Sequence, residues 1–164
     1  MSDSFRVRHA TPADADTIAW HRARMFHDMG DVPSDLFDEF RVKSKLAIEE
    51  MLTRGEYVGW LASPDDASDH IIGGAGVQLQ RALPRPFISV AGTKVSDGRL
   101  GVIINVFTEP EWRRRGVAAM LLRRLIEWTR AEQIDRVILH ASDEGRSLYE
   151  RLGFVAGNEM RLGE

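Results

Sequence analysis

The feature that most constrains the fold is a near-continuous apolar run between Gly101 and Thr108, which reads Val-Ile-Ile-Asn-Val-Phe. An apolar run of this length, rich in β-branched residues, predicts a strand buried on both faces. It is followed by apolar residues at helical spacing over about residues 117–132 and by a second short apolar run at 136–140. A strand, helix and strand in this order predict a parallel pair joined by a right-handed crossover.

The remaining segments predict an antiparallel majority around this pair. The cap Thr11, the following proline and an early acid predict a helix from there to about Met29, and a second helix is expected over 35–53. The other expected elements are strands at 5–8, 57–62 and 71–80 with a glycine-marked bulge, a long surface loop at 81–99, a short helix at 145–152 and a last strand at 154–162. The fold class is therefore α+β, with a mixed, mostly antiparallel sheet flanked by helices.

Composition excludes several classes of protein. The 164 residues carry a net charge of -3, which opposes a general affinity for nucleic acid or an anionic membrane. There is no cysteine, so disulfides and thiolate metal sites are excluded, and no metal site is expected. Without an apolar run near 20 residues or a signal pattern, we expect one soluble cytoplasmic domain over residues 1–164.

A local anion site is predicted where the long helix begins. Pro110 ends the preceding strand, Arg113, Arg114 and Arg115 follow, and the helix starts near Gly116 without a Ser, Thr, Asp or Asn to cap it. The first backbone N–H groups of a helix need acceptors, and a phosphate is favoured there by these groups and by the helix dipole. On composition alone, solvated arginines and a water-capped helix remain an equal alternative.

The spacing of this segment resembles the acyl-coenzyme A signature of the GNAT superfamily of N-acetyltransferases. That signature is Gln or Arg, two variable residues, Gly, one variable residue, and Gly or Ala, which here reads Arg113-x-x-Gly116-x-Ala118. The downstream sequence Leu148-Tyr-Glu-Arg-Leu-Gly-Phe154 is similar to the helix-to-strand close of the same superfamily. The order of elements agrees over nearly the whole chain.

The resemblance implies that acetyl-coenzyme A is the co-substrate. Amides of residues 114–119 would then hold its diphosphate, and its pantetheine arm would lie along the end of the long strand, where Thr108 replaces a frequent valine. Ser142 takes the place of a cofactor-contacting asparagine, although it equally suits a cap of the next helix. The cofactor-binding residues expected on this basis are Val106, Phe107, Thr108, Arg113, Arg114, Arg115, Gly116, Val117, Ala118, Ala119 and Ser142.

The resemblance also implies catalytic roles. Tyr149 is expected to protonate the departing sulfur, with aromatic packing beside Phe154 as the alternative. A base on the long strand, found in several relatives, is missing because Val102 and Ile104 stand there. Glu109 is therefore the expected base, with Asn105 positioning a water or with His27 or Asp28 as other candidates.

The expected acceptor is a primary amine, either a small molecule or a peptide N-terminus or lysine, attacked directly. Family architecture implies substrate contacts from the first two helices and the loop between them. The substrate-binding residues expected are Arg22, Phe26, Asp28, Met29 and Asn105, with Met25 a further pocket candidate, and a small cationic amine would suit their mixed acidic and apolar character. A homodimer is possible. Two other functions stay open: a non-catalytic acyl-coenzyme A sensor, and an arginine-based nucleic-acid clamp that the acids around the arginines oppose.

Overall fold

The computed structural model describes residues 4–163. Its four α-helices are α1 (Ala15–Asp28), α2 (Phe37–Arg54), α3 (Val117–Ala131) and α4 (Asp143–Arg151). Its seven strands are β1 (Phe5–His9), β2 (Tyr57–Pro64), β3 (Gly73–Arg81), β4 (Pro86–Ser89), β5 (Gly92–Val95), β6 (Arg99–Thr108) and β7 (Arg136–Leu139). No helix in this part of the chain is long and apolar enough to cross a bilayer.

Five of the strands form one sheet in the order β1-β2-β3-β6-β7. The first three pairings are antiparallel, and only β6 and β7, which α3 connects, run parallel. The mixed, mostly antiparallel sheet predicted from the sequence is therefore confirmed. Its centre is the apolar strand β6, as the unbroken hydrophobic pattern required.

Helices cover both faces of the sheet. Leu61 faces α1 and α2, where it packs with Ile18 and Ile48, whereas its neighbours Trp60 and Ala62 face α3. Successive residues of a strand point to opposite faces, so one strand supplies both cores. The apolar face of α3 is fully buried, since Leu121, Leu122 and Leu125 have no exposed surface.

Two predictions for exposed segments were wrong. Residues 81–99 are not an irregular loop, because β4 and β5 pair as a hairpin over residues 86–95. Both strands are exposed along their whole length, so neither has the alternation of apolar and polar residues by which a half-buried strand is recognised. The expected strand at 154–162 does not form, since that segment carries no regular structure and is exposed beyond Phe154.

A bulge on β6 shapes the centre of the sheet. Gly74 of β3 pairs with Phe107 and Gly76 pairs with Ile104, so β6 carries one residue more than β3 between these pairs. Asn105 lies in this bulge with a φ of 56°, in the left-handed region. The glycines of β3 mark the right position, but the extra residue belongs to β6. Bulges of this kind bend a strand and redirect its side chains.

Candidate active site

The site is built where β6 and β7 part. Their pairing covers only Leu100–Ile103 of β6 against Arg136–Leu139 of β7. Beyond Ile103, β6 continues to Thr108 with β3 on one side, and within residues 4–163 no strand pairs with its other side. The predicted pantetheine-contacting residues Val106, Phe107 and Thr108 lie on this open stretch. Backbone groups of an open strand edge can pair with an extended ligand that carries amides.

The start of α3 lies just beyond the end of β6. Gly116 precedes the helix with a φ of 86°, and no side chain caps the helix. Arg114 also has a positive φ, of 64°. Such alternating backbone conformations turn successive N–H groups to one side and form an anion-binding concavity. In the described part of the chain, no acceptor is found for the backbone N–H groups of Arg114 and of residues 116–119.

Arg113 links this turn back to β6. Its Nε donates to the carbonyl oxygen of Thr108 at 3.0 Å, and its Nη2 lies 3.5 Å from Oδ2 of Asp28. Its guanidinium also stacks over Phe107, 5.9 Å from the ring centroid. The hydroxyl oxygen Oγ1 of Thr108 is buried beside it without a hydrogen-bond partner among the described residues. Arg113 thus links the end of β6 to the turn before α3, and the unpartnered hydroxyl of Thr108 lies at the same place.

These features fit the co-substrate that the sequence suggests. The free amides and the dipole of α3 suit a diphosphate, and the open edge of β6 with the unpartnered Thr108 hydroxyl suits an amide-bearing arm. Residues 106–108 and 113–119, both predicted from the resemblance to hold the co-substrate, adjoin at one end of the sheet.

Ser142 lies at the start of α4, where it caps the helix. Its Oγ accepts a hydrogen bond from the backbone N–H of Gly145 at 3.2 Å. The capping role that the sequence left open is therefore present. Because the hydroxyl hydrogen is not used in this bond, Ser142 can still donate to a second partner, and its contact with a cofactor stays a prediction.

Tyr149 on α4 is half-buried against the core on the α3 side of the sheet. Its ring meets that of Phe154 edge-to-face at 6.1 Å, so the packing alternative is also present. Burial raises the pKa of the Tyr149 phenol above its ordinary value, and the phenol therefore keeps its proton at neutral pH. Burial alone causes this shift, with no contribution from a hydrogen bond to another side chain, so the proton is available for donation.

A polar network occupies the bulge on the face of α1 and α2. Nη1 of Arg22 donates to Oδ1 of Asn105 at 2.8 Å, and Nδ2 of Asn105 donates to the hydroxyl oxygen of Tyr57 at 3.3 Å. Burial raises the pKa of Tyr57 to about 12, and burial lowers the pKa of Arg22. Arg22 and Asn105 were predicted from the sequence and are brought together here. Tyr57 was missed, since it lies 48 positions from Asn105 and reads only as the first residue of a strand.

His21 is the second residue near the candidate site that the sequence reasoning did not include. It is 2% exposed and stacks on Phe107 at 4.8 Å, and its Nε2 lies 3.9 Å from Oε1 of Glu109. Burial, with a smaller effect of the nearby Arg24 charge, lowers the pKa of His21 to about 4. The imidazole is therefore neutral at neutral pH, and its contact with Glu109 is no ion pair. His21 lies on the apolar face of α1, so the sequence pattern does not distinguish it from a core residue.

The other predicted acceptor contacts are spread along the end of α1. Phe26 packs on Phe40 of α2 at 5.4 Å, and Asp28 is engaged by Arg113. Met29 is about half exposed after the helix end and joins none of these contacts. His27 uses Nδ1 to bond the carbonyl oxygen of Val32 at 2.8 Å, which favours a structural role over that of a base.

Comparisons with known proteins agree with this geometry. The sequence profile of the acetyltransferase (GNAT) family matches residues 16–154, and the chain belongs to this family. Among solved structures, it is similar to a GCN5-related N-acetyltransferase from Ralstonia eutropha, with a TM-score of 0.83 at 22% identity over 98% of this chain and 99% of that one. A predicted acetyltransferase from Clostridium acetobutylicum, solved with acetyl-CoA, has a TM-score of 0.79 at 26% identity over 98% and 96% of the two chains.

A glucosamine-6-phosphate N-acetyltransferase from Arabidopsis thaliana shares the fold, with a TM-score of 0.65 at 17% identity over 99% of this chain and 98% of that one. Comparison with curated protein sequences gives no match. The chain is thus an acyltransferase of a family that uses acetyl-CoA. Within residues 4–163 no group of three or more His, Cys, Asp or Glu side chains is placed to hold a metal ion.

Proposed function

We propose that the protein transfers an acetyl group from acetyl-CoA to a primary amine by direct attack. The observation that carries this proposal is the uncapped start of α3 beside the open edge of β6. Together they offer free amides for a diphosphate and a strand edge for the arm that joins the diphosphate to the thioester. We extend the proposal to one catalytic domain over residues 1–164, acting in the cytoplasm.

Each proposed catalytic residue handles one proton. When bound, acetyl-CoA supplies a thioester carbon that an amine can attack. Tyr149 donates its phenolic proton at the departing sulfur, and its raised pKa keeps that proton in place until it is needed. Glu109 accepts the proton of the acceptor ammonium, directly or through a water, with the neutral His21 beside it.

Turnover with Tyr149→Phe tests the proposal. The wild-type protein should release free thiol from acetyl-CoA when a panel of primary amines is added. Tyr149→Phe should lower kcat about 30-fold, less than the strongest proton-transfer effects because a thiolate leaves readily. Coenzyme A affinity, measured by calorimetry, should change no more than about 3-fold because the substitution removes at most one neutral hydrogen bond.

Equal kcat for the two proteins would show that Tyr149 only packs beside Phe154.

A second function, acyl-CoA sensing without turnover, draws support from Val102 and Ile104, which pack into the core where several relatives carry a base. Tight coenzyme A binding without thiol release for any amine would favour the sensor.

A further inference from the structure

Arg22 differs from the nearby arginines, which form ion pairs with carboxylates. Arg41 pairs with Asp16 at 2.9 Å, Arg8 pairs with Asp14 at 2.8 Å, and Arg113 reaches Asp28 at 3.5 Å. For Arg22, which is more buried than Arg8, no carboxylate lies within ion-pair distance among the described residues. A guanidinium withdrawn from water without a counter-charge costs free energy that a bound anion can recover.

The structure holds this guanidinium in one orientation. Asn105 accepts from Nη1 at 2.8 Å, and the guanidinium carbon lies 4.8 Å from the ring centroid of Phe26 and 5.8 Å from that of Phe40. Asn105 is itself fixed by the bulge and by its bond to Tyr57. The two aromatic rings and the amide thus immobilise Arg22 before any ligand arrives, which lowers the entropic cost of binding.

The remaining donors of Arg22 are open. Nε and Nη2 have no hydrogen-bond partner in the part of the chain that the structure describes, and neither is sealed from solvent. Two adjacent guanidinium N–H donors match the two oxygens of a carboxylate or a phosphate. Their position is that of the bulge of β6, immediately before the stretch 106–108 proposed to hold the arm of the co-substrate.

We propose that Arg22 binds an anionic group of the acceptor, so the substrate is a primary amine that also carries a carboxylate or a phosphate. This inference rests on the proposed function and names its substrate class. It replaces the small cationic amine expected from the sequence, because the partly buried Arg22 is positively charged and the nearby Asp28 forms an ion pair with Arg113. The anion anchors the acceptor, and its amine is left to face the thioester.

Matched pairs of acceptors test the substrate class in the wild-type protein. Phenylalanine is compared with phenethylamine for the carboxylate, and glucosamine 6-phosphate with glucosamine for the phosphate, with thiol release as the measurement. The anionic member of at least one pair should have a kcat/KM higher by about 30-fold, as expected for charge-assisted hydrogen bonds. The pair with the larger ratio identifies the anion. Equal values in both pairs, or a preference for the uncharged-tail amines, would overturn the proposal.

The variant Arg22→Met assigns the effect to the residue. Methionine can still pack between Phe26 and Phe40, and the preference for the anionic member should fall to less than about 3-fold, mostly through KM. Arg24→Met is the matched control, since Arg24 lies on the same helix with its guanidinium over Trp20 at 5.7 Å and away from Asn105. This control should keep the wild-type ratio. If Arg22→Met slows both members of a pair equally, Arg22 is structural and the proposal fails.

Binding measurements distinguish a failure of this inference from a failure of the proposed function. If no amine is acetylated, the proposed function fails, and calorimetry of the same pairs in the presence of coenzyme A then decides on Arg22. Tighter binding of the anionic member that is lost in Arg22→Met supports the anion site, whereas equal binding overturns it. Circular dichroism of Arg22→Met and Arg22→Gln establishes that a loss is not due to unfolding, and both variants should give the same loss.

Discussion

The helices α3 and α4 each follow a strand of the same parallel pair, yet they begin in opposite ways. At the start of α4, Ser142 caps the backbone and Asp143 and Glu144 lie in the first turn. At the start of α3 there is neither a side-chain cap nor an acid in the first turn. Caps and acids both stabilise the positive end of a helix dipole. The helix α4 therefore satisfies its own N-terminus, whereas α3 has no side-chain cap or first-turn acid at its positive end.

The backbone supports the same distinction. Ser142 has an extended conformation, with φ of -71° and ψ of 161°, which is ordinary for a capping residue. Before α3, Arg114 and Gly116 both have positive φ, and for the non-glycine Arg114 this costs about 1 kcal/mol. Residues held in such strained conformations cluster at binding sites, and this strain is consistent with a turn shaped for binding.

The largest effect is expected from Gly116→Asp, which gives α3 the carboxylate that it lacks. The new charge would occupy the position proposed for a phosphate, so coenzyme A affinity should fall at least about 100-fold, as like charges in contact repel by several kcal/mol. Isothermal calorimetry measures this loss. Unchanged affinity would show that the start of α3 does not hold the diphosphate.

Gly116→Asn controls for the backbone. Asparagine has the same shape and a similar tolerance of positive φ, so both variants share any cost of replacing glycine at 86°. The difference in affinity between the two variants reports the charge alone. If both lose affinity equally, strain explains the result and the electrostatic interpretation is wrong.

Ala118→Glu places an acid in the first turn of α3, as in α4. It is expected to have smaller effects, which are opposite for stability and for coenzyme A affinity. Relative to Ala118→Gln, the acid should raise the free energy of unfolding by about 0.5 kcal/mol through the helix dipole. The same charge should weaken coenzyme A binding about 10-fold, by repulsion from the diphosphate. Urea denaturation and calorimetry give the two quantities. Changes of the same sign in stability and affinity would contradict a ligand-completed N-terminus.

The elements that the sequence predicted correctly are those with a buried face. The strand β6 and the helix α3 carry apolar residues at unambiguous spacing, and the missing cap before α3 is visible as residue types alone. The hairpin of β4 and β5 was missed because all of its residues are exposed, so backbone pairing defines it without any side-chain pattern. The absent strand at 154–162 is the converse case, since its apolar residues Val155, Met160 and Leu162 find no core.

The sequence marks the candidate site by a local pattern where the site is contiguous, whereas in the part assembled from distant segments it suggested Arg22 and Asn105 but not their contact or Tyr57. Residues 113–118 form the turn before α3 and the first residues of that helix, so their spacing is a local signal. The network of Arg22, Asn105 and Tyr57 joins α1, β6 and β2, and only the bulge at Asn105 brings the three together. Asn105 is noticeable as a polar residue within an apolar strand, but no local pattern identifies its partners.

The smallest effect on coenzyme A affinity is expected from Ser142→Ala, which removes the cap that distinguishes α4 from α3. Loss of the bond from Ser142 Oγ to the Gly145 amide should lower the free energy of unfolding by about 1 kcal/mol, as for other helix caps. If the Ser142 hydroxyl also donates to the cofactor, as the resemblance implies, coenzyme A affinity should fall about 3-fold as well, the size of one neutral hydrogen bond. Ser142→Thr keeps the hydroxyl and should preserve both quantities. A stability loss with unchanged affinity would make Ser142 a capping residue alone and leave the start of α3 as the anion-binding end of this pair of helices.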